Sequence, residues 1–300
     1  MKNQLQVALE NLYNTNIKNI TITSCGSGDV NSSFIATYGN IKYFVKVQDQ
    51  PNLPHLYENQ IEREVEGITI CEAHGIPCPQ IEEYNTNEKF IITEYVNSVL
   101  LGSVWEKLSD QQRLKIKQQA MELVAKMNTI EAPYFGNICN HGEIKRFSNW
   151  TDSYRNIVDI ALRDCLDYKS LNKSECAIIR ERVEDHCTRL DKTKWSQPVF
   201  SHMDFHWNNI FIDIDEMKIT KIFDFGSSLY TPKYMAYYRL DGGFLYGTEH
   251  FYDKNTICPL EYGVVERECA MLLNTLDYFT FLSYKNRDYQ REKNILLYSE

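Results

Sequence analysis

The sequence lacks the features that mark membrane, secreted and zinc-bound proteins. No hydrophobic run in its 300 residues approaches the roughly 18 apolar residues of a membrane-spanning helix. Residues 1–16 alternate polar and apolar side chains without the apolar centre of a secretory signal. The nine cysteines form no C-x-x-C pair, which argues against a zinc site or a disulfide framework. We therefore expect a cytoplasmic protein with reduced thiols and no membrane partner.

Basic charge is scarce as well. The chain has 32 Lys and Arg against 41 Asp and Glu, which gives a formal net charge of -9. Nucleic acid phosphates bind basic stripes, so nucleic acid is not an expected partner. A cationic small molecule fits this acidic balance, although many ordinary soluble proteins share it.

The hydrophobic pattern changes character near residue 96. Before it, five short β-rich runs surround one long helical stretch, and after it the pattern is mainly helical. The predicted strands are residues 19–24, 33–38, 41–47, 80–84, 89–95, 210–213 and 218–223, and the predicted helices are residues 1–15, 57–74, 109–130, 150–168, 173–190 and 264–298. We predict an amino-terminal lobe of residues 1–96 and a carboxy-terminal lobe of residues 97–300, with a helical insertion at about residues 100–197.

The strongest pattern lies in residues 201–212, which read SHMDFHWNNIFI. Asp204 stands five residues before Asn209 and ahead of an apolar strand, which is the arrangement of kinase catalytic loops. Such an aspartate reaches a substrate hydroxyl, while the asparagine holds a magnesium ion that bridges nucleotide phosphates. Fifteen residues later, Asp224 begins a D-F-G tripeptide with a hard oxygen ligand that suits magnesium. Together the motifs predict Mg²⁺-dependent phosphoryl transfer; the alternative is a pair of surface turn aspartates.

A glycine-containing loop precedes these motifs. Gly26, Ser27 and Gly28 lie between two predicted strands, where small residues let backbone N–H groups approach phosphates. Asn31 occupies the third glycine position, so the usual G-x-G-x-x-G is incomplete, and a plain hairpin loop is the alternative. No G-x-x-x-x-G-K-[ST] occurs, which excludes the P-loop class.

Two charged residues complete the pattern in the amino-terminal lobe. Lys46 lies on the third predicted strand between apolar neighbours, where its ammonium can contact the α- and β-phosphates. Glu64, on the helix that follows, is its expected ion-pair partner, with Glu62 and Glu66 as competitors. The alternative for a lone strand lysine is a solvated edge position.

The segment between the lobes, residues 94–97, is expected to form a hinge beside the nucleotide base. Glu94 and Val96 are the predicted nucleotide contacts in this segment. The backbone geometry of this segment decides between ATP and GTP, and both stay open as co-substrates.

These segments resemble the aminoglycoside phosphotransferase and choline kinase superfamily, a group of small-molecule kinases related to eukaryotic protein kinases. The family's catalytic loop reads H-G-D-x-H-x-x-N and its metal strand reads I-D-[WFY]-[GE]. Here residues 202–209 read HMDFHWNN and residues 223–226 read FDFG. The pair RE at 63–64 and the stretch AHGIPCP at 73–79 are similar to the family's R-E helix and its exit. The likeness spans about residues 20–230.

The resemblance implies an α+β, bilobal protein-kinase-like fold with a small β-rich lobe and a larger, mainly helical lobe. It also implies roles for five residues. Asp204 would be the catalytic base, Asn209 and Asp224 would bind magnesium, Lys46 would contact the phosphates, and Glu64 would be the partner of Lys46.

Three positions of the catalytic loop depart from the family pattern. Met203, Trp207 and Asn208 replace the common glycine, proline and glycine. They shape the loop without performing chemistry, so they bear on substrate identity more than on activity. His206 matches the family, and we expect it to bond nearby backbone.

The acceptor is expected to be a small molecule rather than a protein. About 107 residues separate Tyr95 from His202, a mainly helical excess over protein kinases. No A-P-E segment follows Gly226 to anchor an activation loop. The extra helices suit the wall of a small-molecule pocket.

An aminoglycoside is the first-choice acceptor, because its ammonium groups need carboxylates. The predicted substrate carboxylates are Asp241, Glu249, Asp253 and Glu266, although a solvated acidic face is the alternative. Choline or ethanolamine would instead need an aromatic cage, for which the aromatic residues within 230–246 are candidates. A sugar or a macrolide is a further alternative. A nucleotide-binding pseudokinase or scaffold is the alternative of another class.

Overall fold

The computed structural model describes residues 3–27, 30–236 and 263–298. Its α-helices include α1 (Asn3–Tyr13), α2 (Gln60–Ala73), α3 (Leu101–Val104), α4 (Asp110–Met127), α5 (Trp150–Asp167), α6 (Lys173–Arg189), α7 (Val264–Tyr284) and α8 (Gln290–Tyr298). Its strands are β1 (Thr21–Ser27), β2 (Ser32–Tyr38), β3 (Ile41–Val47), β4 (Ile81–Asn85), β5 (Phe90–Glu94), β6 (Val99–Leu100), β7 (Phe135–Asn137), β8 (Arg146–Phe147), β9 (Val199–Ser201), β10 (Ile210–Asp213), β11 (Lys218–Ile222) and β12 (Leu229–Thr231). A β-rich amino-terminal region and a mainly helical carboxy-terminal region confirm the predicted fold class. None of the helices in these ranges combines the length and apolar character that a bilayer crossing requires.

The chain divides into two compact units. The first contains Met1–Leu53, Asn59–Gln119 and Trp207–Ser227, and the second contains Pro54–Glu58, Ala120–His206 and Ser228–Glu300. The first unit reaches beyond residue 96. Within this extension, β6 pairs with β10, which belongs to the same unit.

The first unit is built on a five-stranded antiparallel sheet in the order β1-β2-β3-β5-β4. Gly39, at φ +59°, forms the turn between β2 and β3, a left-handed conformation that glycine adopts without steric cost. Val45 and Val47 of β3 pack in one apolar cluster with Leu9 of α1. Burial of each such side chain contributes roughly 1.5–3 kcal/mol. Because side chains alternate along a strand, Lys46 points to the opposite face of the sheet.

A three-stranded sheet in the same unit has the order β11-β10-β6. β10 and β11 are antiparallel, with Ile210 opposite Ile222. The residue before β10 therefore lies beside the residues that follow β11, and the N–H of Phe223 donates to the carbonyl of Asn209 at 3.1 Å. This pairing places Asn209 next to the strand end that carries Asp224.

The second unit combines a four-stranded sheet, in the order β8-β7-β12-β9, with helices that include α5 to α8. α5 begins after Asn149, whose side chain accepts the N–H of Asp152. α6 begins with a capping box formed by Asn172 and Glu175. β9 ends at Ser201 and leads directly into the loop that carries Asp204.

A buried histidine of the second unit makes stability sensitive to acid. His186 is 3% exposed, and its Nδ1 lies 3.0 Å from the Tyr154 hydroxyl. Burial, aided by Arg182 and Arg189 and opposed by Glu268, lowers the pKa of His186 to about 4. The unfolded chain takes up this proton near pH 6.5, so the folded state loses stability as pH falls below 6.5, by up to about 3 kcal/mol near pH 4.

We expect His186→Gln to reduce this acid sensitivity. Urea unfolding of the wild type and the variant at pH 7.5 and pH 5 measures the difference, because other titrating groups act equally in both proteins. The same loss of stability in the two proteins would contradict the assignment.

Candidate nucleotide-binding and catalytic site

Three ionisable side chains of the first unit meet at Lys46. Its Nζ lies 3.1 Å from Glu64 Oε2 and 3.0 Å from Asp224 Oδ1. Among the glutamates of α2, Glu64 is buried, Glu62 is half-buried and Glu66 is exposed. Glu64 is therefore the glutamate of α2 that pairs with Lys46, and Asp224 of the D-F-G segment is the second carboxylate of the cluster.

The environment of Lys46 keeps it positively charged. The side chains of Lys46 and Glu64 are only 7% and 6% exposed. Burial favours the neutral amine, but the carboxylates of Asp224 and Glu64 outweigh this effect and raise the pKa of Lys46 above its usual value. Loss of one partner of a buried pair typically costs about 3–5 kcal/mol, because the remaining charge is left unpaired. Lys46 is thus a fixed cation.

A cavity of about 720 Å³ lies beside Lys46 within the first unit. The segment after β5 contributes Tyr95 and Val96 to its wall. The apolar part of the wall consists of Phe44, Ile68, Pro79, Ile91, Leu100, Phe211 and Phe223. Apolar walls with a few placed polar groups are typical of small-molecule sites of roughly 300–1,000 Å³. This cavity can hold a flat ring against its apolar wall and an anionic tail at Lys46.

Asn209 and Asp224 fit the requirements of a magnesium ion. They offer an amide oxygen and a carboxylate at neighbouring strand ends, and Mg²⁺ needs few protein ligands when phosphates and waters complete its shell. The side chain of Asp224 is 41% exposed, so its carboxylate is accessible although it also contacts Lys46. Asp224 has φ +68°, in the left-handed region that is uncommon for non-glycine residues, although aspartate adopts it more readily than most.

Asp204 belongs to the second unit, on the loop that follows β9. Its N–H donates to Nδ1 of His202 at 3.2 Å, and His202 is 1% exposed. Its Oδ1 lies 3.6 Å from Nε2 of His206, and its side chain is 23% exposed. The loop is thus anchored by a buried histidine, while the carboxylate of Asp204 is accessible enough to accept a proton.

Met203, at the position where the family pattern has glycine, has a backbone conformation that glycine adopts easily. It has φ +62°, in the left-handed region, and its side chain is only 7% exposed. We expect Met203→Gly to be more stable than Met203→Ala by about 1 kcal/mol, because both variants lose nearly the same buried side chain and only alanine keeps the steric cost of positive φ. Urea unfolding compares the two. Equal stability would show that the backbone relaxes here without strain.

The glycine loop is connected to α2 by a side chain. β1 includes Gly26 and Ser27, whereas Gly28 lies outside the described residues. The β1–β2 register shifts just before Ser27. Asn31, at the third glycine position, is buried, and its Nδ2 donates to Oε1 of Gln60 at 2.9 Å. The residue that departs from the glycine pattern therefore ties the loop to the first turn of α2.

The side chain of Glu94 holds neighbouring segments together. Its Oε1 accepts the N–H of Gln80 at 2.9 Å and lies 2.5 Å from Nζ of Lys221. Glu94 and Val96 both line the cavity. That Glu94 and Val96 contact a nucleotide stays a prediction. A nucleotide bound to the Glu94 carboxylate would compete with Gln80 and Lys221 for it.

Of the four predicted substrate carboxylates, one lies within the residues that the structure describes. Asp241, Glu249 and Asp253 lie outside the described residues. Glu266, in the first turn of α7, is 4% exposed, and its Oε1 accepts the indole N–H of Trp195 at 2.7 Å. This placement favours a structural role for Glu266 at the start of the helix over contact with a ligand.

The sequence analysis assigned no role to Arg63, which the structure places beside Gly226. Arg63 is 3% exposed, and its Nε donates to the carbonyl of Gly226 at 2.7 Å. The N–H of Gly226 donates to Glu64 Oε2 at 2.9 Å. The only available signal was the position of Arg63 directly before Glu64, in a pair that the resemblance already contained.

Comparison with known proteins agrees with these features. The model of the Phosphotransferase enzyme family matches residues 21–234. A search of curated proteins finds no match. Among solved structures, the chain is similar to a putative fructosamine-3-kinase from Haemophilus somnus 129PT, with 16% identity, a TM-score of 0.66, and coverage of 98% of this chain and 97% of that chain.

Two aminoglycoside phosphotransferases are similar as well. The gentamicin complex of APH(2")-IIa has 16% identity, a TM-score of 0.66, and coverage of 100% of this chain and 97% of that chain. A thermostable mutant of APH(4)-Ia, in a ternary complex with ADP and hygromycin B, has 13% identity, a TM-score of 0.64, and coverage of 98% and 96%. At such identities, these structures establish the fold.

The family match covers well over half of the chain and includes the positions of Lys46, Glu64, Asp204, Asn209 and Asp224. It therefore confirms the resemblance seen in the sequence motifs. A nucleotide co-substrate agrees with this family and with the cavity beside Lys46. The chain belongs to the phosphotransferase enzyme family and is a small-molecule kinase.

Proposed function

We propose that this protein transfers the γ-phosphoryl group of ATP or GTP to a hydroxyl of a cationic small molecule, with an aminoglycoside as the first-choice acceptor. The observation that carries the proposal is the buried Lys46–Glu64 pair, with the accessible carboxylate of Asp224 beside it, at a cavity of nucleotide size. A fixed ammonium next to an accessible carboxylate is what nucleotide phosphates and their metal ion require.

Each residue of the site has a defined task in this reaction. Lys46 binds the α- and β-phosphates, and Glu64 fixes the position of its ammonium. Oxygens of Asn209 and Asp224 would hold Mg²⁺, which when bound neutralises charge on the phosphates. Asp204 orients the acceptor hydroxyl and accepts its proton as the new O–P bond forms and the bond to the β-phosphate oxygen breaks. The nucleoside diphosphate leaves.

The choice of acceptor rests on charge and on the neighbouring structures. The chain carries a formal net charge of -9, which suits a polycation. Structural neighbours include enzymes captured with gentamicin and with hygromycin B. A putative fructosamine-3-kinase is equally similar, which makes an amino sugar outside the antibiotics the second candidate.

A coupled assay of nucleoside diphosphate release tests the acceptor class. The panel contains several aminoglycosides, a fructosamine, choline, ethanolamine, simple sugars and a macrolide, each with ATP and with GTP. We expect turnover with at least one aminoglycoside and raised resistance in a susceptible host. Turnover confined to another acceptor would overturn the aminoglycoside choice and leave the kinase assignment in place.

Cys25 offers a direct test of where the nucleotide binds. It lines the cavity with Lys46, and in the part of the chain that the structure describes it is the exposed cysteine, while the other thiols are buried. The experiment uses the Cys258→Ser variant. We expect MgATP or MgGTP, at ten times its Kd, to slow the alkylation of Cys25 by iodoacetamide about 10-fold. The reason is that only the nucleotide-free protein reacts. Partial burial nevertheless raises the pKa of this thiol, so labelling is measured at pH 8.5.

Peptide mass spectrometry identifies the labelled residue, and Cys25→Ser provides the unlabelled control. An alkylation rate that nucleotide leaves unchanged would place the nucleotide away from this cavity.

A further inference from the structure

One face of α2 contacts the D-F-G segment at four positions. Gln60, Arg63, Glu64 and Gly67 have the i, i+3, i+4, i+7 spacing of a single helix face. A Cβ on Gly67 would come within 2.6 Å of the Phe225 side chain, which shows how closely the two segments approach. The segment is therefore packed against the helix without room for displacement on this side.

Two of these positions bind the backbone of Gly226 from both sides. The Nε of Arg63 donates to its carbonyl at 2.7 Å, and Oε2 of Glu64 accepts its N–H at 2.9 Å. We call this pair of bonds the Gly226 clamp. Both bonds involve a charged partner, and such bonds are shorter and stronger than bonds between neutral groups. The clamp fixes the orientation of both peptide groups at Gly226.

The clamp acts two residues from a position with an uncommon backbone conformation. Asp224 has φ +68°, in the left-handed region that non-glycine residues seldom adopt. In this conformation its Oδ1 lies 3.0 Å from Nζ of Lys46. Glu64 contributes to the clamp and to the Lys46 pair at once, whereas Arg63 contributes to the clamp alone among these contacts.

We propose that Arg63 is a positioning residue of the phosphotransferase: through the carbonyl of Gly226 it holds Asp224 in its left-handed conformation, with the carboxylate set for the metal ion. The proposal rests on the proposed function, because it assigns the metal to Asp224. Held in this way, the Asp224 carboxylate is in position before a metal ion binds.

The chemistry of the guanidinium explains why arginine occupies this buried position. A guanidinium has five N–H donors in a rigid plane, so one donor can bind the Gly226 carbonyl in a fixed direction. A lysine has a rotatable ammonium at the end of a flexible chain and can restore the hydrogen bond without the direction. Methionine keeps much of the apolar stem and provides no donor. Replacing Arg63 by lysine and then by methionine therefore weakens the hydrogen bond to the Gly226 carbonyl in two steps.

The experiment compares wild type, Arg63→Lys and Arg63→Met in the full chain, with Arg180→Met as the control for loss of an exposed arginine on α6. ADP affinity is measured by calorimetry with and without Mg²⁺, and kcat and KM are measured with the best acceptor. We expect ADP affinity without Mg²⁺ to stay within about 3-fold of wild type in all variants, since Lys46 and the cavity are retained.

The Mg²⁺ dependence of activity and the value of kcat test the proposal. We expect Arg63→Met to raise the Mg²⁺ concentration for half-maximal activity at least 10-fold and to lower kcat about 100-fold at unchanged acceptor KM, with Arg63→Lys in between. Wild-type Mg²⁺ dependence in a folded Arg63→Met would overturn the proposal. If Arg63→Met does not fold, Arg63→Lys decides: a lower melting temperature with wild-type Mg²⁺ dependence would mean a purely structural role.

Failure of the proposed function is distinguishable from failure of this inference. If wild type transfers phosphate to no acceptor, the kinase reaction fails, and the effect of Mg²⁺ on ADP affinity in the same variants still tests Arg63. If wild type is active and Arg63→Met keeps its Mg²⁺ dependence, only the role of Arg63 fails.

Discussion

Replacement of Asp204 by alanine is expected to abolish phosphoryl transfer while nucleotide binding persists. The carboxylate of Asp204 is 23% exposed, and it belongs to the second unit, whereas the cavity beside Lys46 is lined by residues of the first. Its loss removes the group that accepts the hydroxyl proton. General base catalysis contributes roughly 10²–10⁴-fold to the rate, so we expect kcat to fall at least about 10²-fold.

The effect is separated from misfolding by two measurements. ADP affinity and melting temperature of Asp204→Ala should match those of wild type closely. Asp215→Ala is the matched control, since Asp215 is an exposed aspartate in the turn between β10 and β11. Turnover near wild type in Asp204→Ala would remove this residue from the mechanism.

Replacement of Asp224 by asparagine should have an effect of similar size and a different character. The substitution keeps the shape of the side chain and removes the charge that faces Lys46 and that would face a bound Mg²⁺. Lys46 stays paired with Glu64, so the protein should fold. We expect kcat to fall more than about 10³-fold, because charge neutralisation on the phosphates supplies much of the rate of phosphoryl transfer.

The distinguishing measurement is the dependence of nucleotide affinity on Mg²⁺. Wild type should bind ADP more tightly with Mg²⁺ than without it, and Asp224→Asn should bind it equally in both conditions. Asp215→Asn should behave as wild type. A variant at Asp224 that keeps the Mg²⁺ effect would move the metal away from this carboxylate.

Much of the site could be predicted from the sequence because its motifs are local. Asp204 and Asn209 lie on one short loop, and the spacing to Asp224 is set by two adjacent strands of a hairpin. The position of Lys46 follows from a strand alternation that buries Val45 and Val47 on the other face. Motif spacing and strand alternation depend on residues that are close in the chain, so they can be recognised in a single sequence.

The features that could not be predicted depend on contacts between distant residues. The hydrogen bond of Arg63 to Gly226 joins residues 163 positions apart, and a buried arginine has no periodic pattern that indicates its partner. The burial of Glu266 depends on Trp195, whose position the acidic composition of the stretch does not reveal. The extension of the first unit past residue 96 depends on the pairing of β6 with β10.

The central claim is that the protein moves a phosphoryl group from a nucleotide to a small-molecule hydroxyl at Asp204. The direct test incubates wild type and Asp204→Ala with γ-labelled ATP or GTP, Mg²⁺ and the acceptor panel, and follows the label and the acceptor mass. We expect one acceptor to gain a single phosphoryl group with wild type, only when Mg²⁺ is present, and we expect no such product with Asp204→Ala. Tight nucleotide binding with no labelled acceptor anywhere in the panel would contradict it and indicate a nucleotide-binding pseudokinase.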